Sequence, residues 1–222
     1  MNNDWSRYEL ALLLQYLLHG EKERVELLLQ HKKVEELPVV LRKVLQQIAD
    51  KNKELGLSMS EIVELGNMLE CSFYKETSLK NWVKREIKQF IGVPHVGKKY
   101  SIQQAALLYI VKDLKTFLDF DLIRHVLALV FNNPMDRSDD HLSPADFFLQ
   151  YAQMYEKLMV KEKVLTETVV SKEVEEYVMT LRVGDEQKEH IAVAFKTALL
   201  STRASYLRGT ALKYINGMNA LN

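Results

Sequence analysis

Apolar residues recur every three to four positions along most of this chain, and little interrupts the period: 8 glycines and 4 prolines serve 222 residues. Alternation of β-branched residues, the mark of a half-buried strand, is scarce. Such a chain is expected to be all-α, a multi-helix protein with minimal β structure. Helices are predicted over 4–19 and 21–31, hinged at His19-Gly20, and from Leu37-Pro38 to about Leu55-Gly56. Another spans 58–70, where Ser58 and Glu61 form a capping box. Ser101 caps a helix reaching about Leu118, with Ile102, Ala105, Ala106, Tyr109 and Leu114 inward. The next covers 121–131, with Leu122, Ile123, Val126, Leu127 and Val130 as its apolar set.

Asn132-Asn133-Pro134 and the polar run Asp136 to His141 read as the clearest linker. Ser143-Pro144-Ala145-Asp146 then combines a cap, a proline at the first helical position and an acid in the first turn. Helices are expected over 144–164, 170–182 and 185–208, broken at Val183-Gly184-Asp185. The organisation implied is an N-terminal helical segment (1–56), a central basic module (57–133) and a C-terminal helical bundle (140–222).

Overall charge names no partner, because 30 basic residues balance 30 acidic ones. Its distribution says more. Lys75, Lys80, Lys84, Arg85, Lys88, Lys98 and Lys99 face only Glu76 and Glu86 in their stretch, whereas 135–183 is acidic on balance. A basic island in a neutral chain implies a confined electropositive patch. Cys71 stands alone, so neither an intrachain disulfide nor a cysteine zinc site is available, in keeping with a reducing cytoplasm. Met1-Asn2-Asn3-Asp4-Trp5 has no basic leader before an apolar run. Leu10 to Leu18 is too short to span a bilayer, so a cytoplasmic protein without membrane association is expected.

The island has a shape. Leu79, Val83, Ile87 and Phe90 form an apolar helix stripe, and Asn81, Lys84, Arg85 and Lys88 fall opposite, with Lys80 one turn above Lys84. A Gly92-Val93-Pro94-His95-Val96-Gly97 turn then presents Lys98, Lys99 and Tyr100. A basic, amide-bearing helix beside a basic hairpin is what a winged helix-turn-helix shows to DNA. Asn81 can pair with adenine and Arg85 with guanine. Thr77, Ser78, Lys80, Lys84 and Lys88 suit phosphates, while Lys98, Lys99 and Tyr100 lie where a wing meets the flanking backbone.

Three runs carry a resemblance: Gly97-Lys98-Lys99-Tyr100-Ser101-Ile102-Gln103-Gln104-Ala105, Leu107 to Leu114, and Asp121 to Leu127. Over about 57–133 they resemble the MerR family, whose wing ends in a basic-Tyr-Ser signature followed by a helix pair. They are more similar still to an uncharacterised bacterial family, a domain of unknown function, that also carries Asn81-Trp82-Val83-Lys84-Arg85-Glu86-Ile87-Lys88. The resemblance implies a recognition helix bearing Lys80, Asn81, Lys84 and Arg85 and a wing bearing Lys98, Lys99 and Tyr100. The chain departs from MerR proteins in the helical residues before this head and in the interruption at Asn133-Pro134.

Catalysis has no motif behind it. The histidines share no ligand spacing, and Asp139-Asp140-His141 with Asp146 reads as a solvated loop rather than a cation site. No Gly-rich phosphate loop or Gly-x-Ser-x-Gly elbow occurs. No cofactor is expected. Met154, Leu158, Met159, Val170, Val174, Tyr177 and Val178 read as core more readily than as a ligand pocket, and Arg203, Arg208 and Lys213 form a weak basic set. The function expected is therefore that of a non-enzymatic bacterial transcriptional regulator binding double-stranded DNA as a homodimer, with an effector or partner site in the flanking helices. The alternative is a helical adaptor that uses the same scaffold to bind protein.

Overall fold

Ser6, Ser58 and Ser101 each start a helix by the same device. The hydroxyl accepts the N–H of the residue three along, and that residue's side chain returns to the serine N–H. The computed structural model describes residues 5–30, 39–48, 54–69, 72–131, 140, 142–161 and 165–219. In chain order they form α1 (Arg7–Leu18), α2 (Lys22–Leu29), α3 (Val39–Ile48), β1 (Gly56–Leu57), α4 (Met59–Gly66) and α5 (Glu76–Asn81). A π-helical turn, Trp82–Glu86, leads into α6 (Lys88–Ile91). Then come β2 (Tyr100–Ser101), α7 (Ile102–Leu114), α8 (Phe120–Ala128), α9 (Pro144–Lys161), α10 (Glu167–Val178) and α11 (Asp185–Asn219). The fold is predominantly helical, as the periodicity implies.

Helix α7 is the axis. It is apolar nearly all round, and every residue from Gln104 to Val111 is buried, as a helix enclosed by others requires. Helix α1 lies along α9, and both pack on α7, while α10 and α11 close the far side. Phe147 stacks on Phe195 with ring centroids 4.5 Å apart, and Tyr109 stacks on Phe148 at 5.8 Å. One hydrophobic cluster runs from Trp5 to Leu199 and draws on all three sequence segments. Arg7 of α1 and Asp113 of α7 are buried within it as an ion pair.

Several bounds differ from expectation. The segment from Leu37-Pro38 is helical only over Val39–Ile48 among the described residues. Helix α11 runs on to Asn219, well beyond residue 208, because its last turns contain no proline and no acid-rich break. Leu122, expected in the apolar set of α8, is 50% exposed, whereas Ile123, Val126, Leu127 and Val130 are buried. The linker over 132–139 and His141, and Cys71, lie outside the described residues.

β structure is small but placed with effect. Gly56 and Leu57 pair antiparallel with Ser101 and Tyr100. Val96 and Lys99 exchange backbone hydrogen bonds of 3.0 and 2.9 Å across a turn in which Gly97 has φ +61°, a conformation that favours glycine. A Cβ on Gly56 would come within 2.8 Å of Val96 Cβ, so only glycine lets β1 lie against this hairpin.

Candidate nucleic-acid interface

The segment expected to read DNA is entered through a pinned turn. Tyr74 N–H donates to Asn67 Oδ1 at 2.7 Å, and Asn67 Nδ2 returns to Tyr74 O at 3.2 Å. Helix α5 follows, with Leu79 buried and Thr77, Lys80 and Asn81 exposed. The helix does not continue unbroken to Phe90. Ile87 N–H donates to Trp82 O at 2.9 Å, a five-residue step, and Ile87 adopts φ −124°, ψ 23°. A side chain from α8 meets the backbone at this step. Arg124 Nη1 donates to Glu86 O at 2.8 Å and occupies an outward-facing carbonyl at the break, while Phe90 N–H turns to Ile87 O at 3.0 Å. Trp82, edge-on to Phe120 at 5.7 Å, anchors the widened turn on α8.

The apolar stripe nevertheless stays inward: Leu79, Val83, Ile87 and Phe90 are all buried. Lys84, Arg85 and Lys88 are exposed, and none pairs with a described carboxylate. Ser78 is half-buried. Lys80 is engaged by Glu76 at 2.6 Å, one turn back.

The hairpin is fastened by Gln104. Its Nε2 donates to Ile91 O at 2.6 Å and Val93 O at 2.7 Å, and its Oε1 accepts from Ser101 N at 2.9 Å and His95 N at 3.2 Å. Lys98 stands exposed at the tip. Lys99 turns back to Glu61 at 3.3 Å, and Tyr100 is half-buried in β2. Burial pushes the Tyr100 hydroxyl pKa up, and the Lys80 charge opposes the rise. A cleft of about 920 Å³ opens beside this segment, lined in part by Arg85, Lys88, Phe90, Gln104, Arg124 and Pro144.

Residues 32–158, more than half of the chain, match the family described as Domain of unknown function (DUF1836). The chain belongs to this family. It is also similar to the "Uncharacterized protein YkrK" of Bacillus subtilis (strain 168), with 54% identity over 98 residues. That stretch is 44% of this chain and 42% of the relative, so the match spans less than half of the relative's length. No solved structure matches the chain.

The part of this DUF1836 protein that carries the family match takes in both the basic segment and the hairpin. Of the residues singled out from sequence, Thr77, Lys80, Asn81, Lys84, Arg85, Lys88 and Lys98 are solvent-facing; Lys80 also pairs with Glu76, and the half-buried Lys99 pairs with Glu61. Gln104 and Arg124, which shape the surface, were not among the expected site residues. The capping-box position three after Ser101 marks Gln104, but Arg124 carries no sequence signal. Among the described residues no cluster of three or more His, Cys, Asp or Glu could hold a metal ion. None of the described helices is long and apolar enough to cross a membrane. Met154, Leu158, Val170, Val174 and Val178 are packed in the core.

Proposed function

We propose that this DUF1836 protein is a DNA-binding transcriptional regulator whose residues 56–128 act as a MerR-like winged helix-turn-helix. One observation carries the reading. Four cations (Lys84, Arg85, Lys88 and Lys98) are exposed on one helical segment and the adjoining hairpin tip, and no described carboxylate neutralises them. Unneutralised cations on an apolar-backed helical segment suit a polyanion, whose condensed counterions they would release. The order α4, pinned turn, α5 to α6, hairpin, β2, α7 supports the same reading. It would set the helix in the major groove and the hairpin against the flanking backbone.

In this account Asn81 and Arg85 read base edges, and Lys84, Lys88, Thr77 and Ser78 hold phosphates. Lys98 grips the backbone beyond the groove. Lys80, Lys99 and Tyr100 position the two halves relative to one another more than they touch DNA. A cytoplasmic homodimer would read an inverted repeat. Selection from random duplex DNA with the purified full chain tests the proposal. Enrichment of one sequence, arranged as two symmetric half-sites, supports it, and recovery of unenriched DNA refutes it.

A further inference from the structure

Burial repeats every four residues from Leu79 to Gln89. Leu79, Val83 and Ile87 are buried, Trp82 and Glu86 are half-buried, and the two residues after each buried one are exposed. A straight α-helix cannot keep that period, because each step of four overshoots a turn by about 40° and Ile87 would stand about 80° round from Leu79. The wide turn in which Ile87 N–H donates to Trp82 O takes up the extra residue. Arg124 Nη1, donating to Glu86 O at 2.8 Å, and the edge-on contact of Trp82 with Phe120 seat this turn against α8. Phe90 and Ile91 then continue the buried side.

Where buried residues at a spacing of four keep to one line, their neighbours at the same spacing keep to lines of their own. Lys80, Lys84 and Lys88 make one exposed column, and Asn81, Arg85 and Gln89 make the next. The first column holds only ammonium groups, point charges suited to phosphates. The second holds only amide and guanidinium groups, the side chains that pair bidentately with adenine and guanine in the major groove. Gln89 is exposed, and its amide has no partner among the described residues. On a straight α-helix it would lie about 80° round from Asn81, facing away from the bases that Asn81 meets. We propose that Gln89 is a specificity-determining residue, the last member of a base-reading column that the wide turn brings into line with Asn81 and Arg85. The inference rests on the DNA-binding reading above.

Selection from random duplex DNA with the full chain and with Gln89→Arg tests it. The wild type should enrich adenine at one position of each half-site, and Gln89→Arg should convert that position to guanine while the others are kept. Gln89→Ala should relax the same position alone, lowering the preference for adenine there roughly tenfold. Lys88→Ala, in the neighbouring column, should instead weaken all duplexes alike and flatten the salt dependence. Melting curves equal to that of the wild type, expected for an exposed position, show that the fold is intact. A selected site unchanged by Gln89→Arg, or a loss spread evenly over every position, overturns the proposal and leaves the DNA-binding reading standing. A wild-type chain that enriches no sequence overturns both.

Discussion

Arg7 Nη2 donates to Asp113 Oδ1 at 2.8 Å across 106 residues of sequence, with the two side chains only 7% and 3% exposed. Arg7 Nε adds bonds of 3.1 and 3.0 Å to the same carboxylate, and Tyr151 Oη donates to Asp113 Oδ2 at 3.0 Å. The pair thus ties the N-terminal helix, the central helix and α9 at one point. Burial works against the Arg7 charge, but Asp113 outweighs it and raises the guanidinium pKa. Tyr74, which opens the turn into the basic segment, lies in the same electrostatic neighbourhood, and burial raises its hydroxyl pKa as it does that of Tyr151.

A buried pair is fragile when halved. Arg7→Ala strands a buried carboxylate and is expected to cost about 3–5 kcal/mol in urea unfolding. The double variant Arg7→Met/Asp113→Leu should cost less than either single change, because it leaves no buried charge. A double variant as unstable as the sum of the singles would contradict this.

Gln104 makes four hydrogen bonds that no apolar residue can replace. Gln104→Ala leaves the Ile91 carbonyl and Ser101 N–H without their partner and should lower stability by about 1–3 kcal/mol. Faster amide hydrogen exchange at Val96 and Lys99, read by NMR, should accompany the loss. Unchanged exchange there would show that the hairpin is held by something else.

The Glu61 carboxylate accepts from Ser58 N at 2.8 Å and from Lys99 at 3.3 Å. Burial favours its neutral form, yet the Ser58 and Lys99 bonds prevail and hold its pKa below the ordinary value of 4.5. A depressed folded pKa contributes stability that is complete above the unfolded value and is lost as pH falls through the folded one. The stability difference between wild type and Glu61→Gln should therefore be constant above about pH 6 and shrink below 4.5. A difference that grows on acidification would reverse the sign.

How much of this was legible beforehand depended on range. The caps at Ser58 and Ser101, the inward stripe of Leu79, Val83, Ile87 and Phe90, and the start of α9 at Pro144 are local patterns, and they read correctly; the Ser6 box is equally local but was not read. The break at Ile87 was not legible either, and the side chain that bonds the carbonyl there, Arg124, is 38 positions away from Glu86. Lys99 looked like Lys98 in sequence, and only the folded position of Glu61 separates them, whereas the pairing of Lys80 with Glu76 is an i,i+4 helix pair that the sequence does carry. Arg7 and Asp113 resembled ordinary surface charges for the same reason.

Within the proposed DNA reading, Arg85 and Lys98 have different tasks. Arg85→Ala should reduce discrimination between the selected site and a single-base variant by about 1–3 kcal/mol. Lys98→Ala should weaken both duplexes alike. Anisotropy titrations on the two duplexes distinguish these outcomes, and equal effects of the two substitutions would remove the base-reading role of Arg85.

The most direct test is the salt dependence of duplex affinity for the full chain and for the Lys84→Ala/Lys88→Ala/Lys98→Ala variant. Each phosphate contact contributes a slope of about −0.9 in log affinity against log salt, so the variant's slope should be shallower by about 3 units. Identical slopes, or no binding of duplex DNA by the wild-type chain at low salt, would contradict the proposed function.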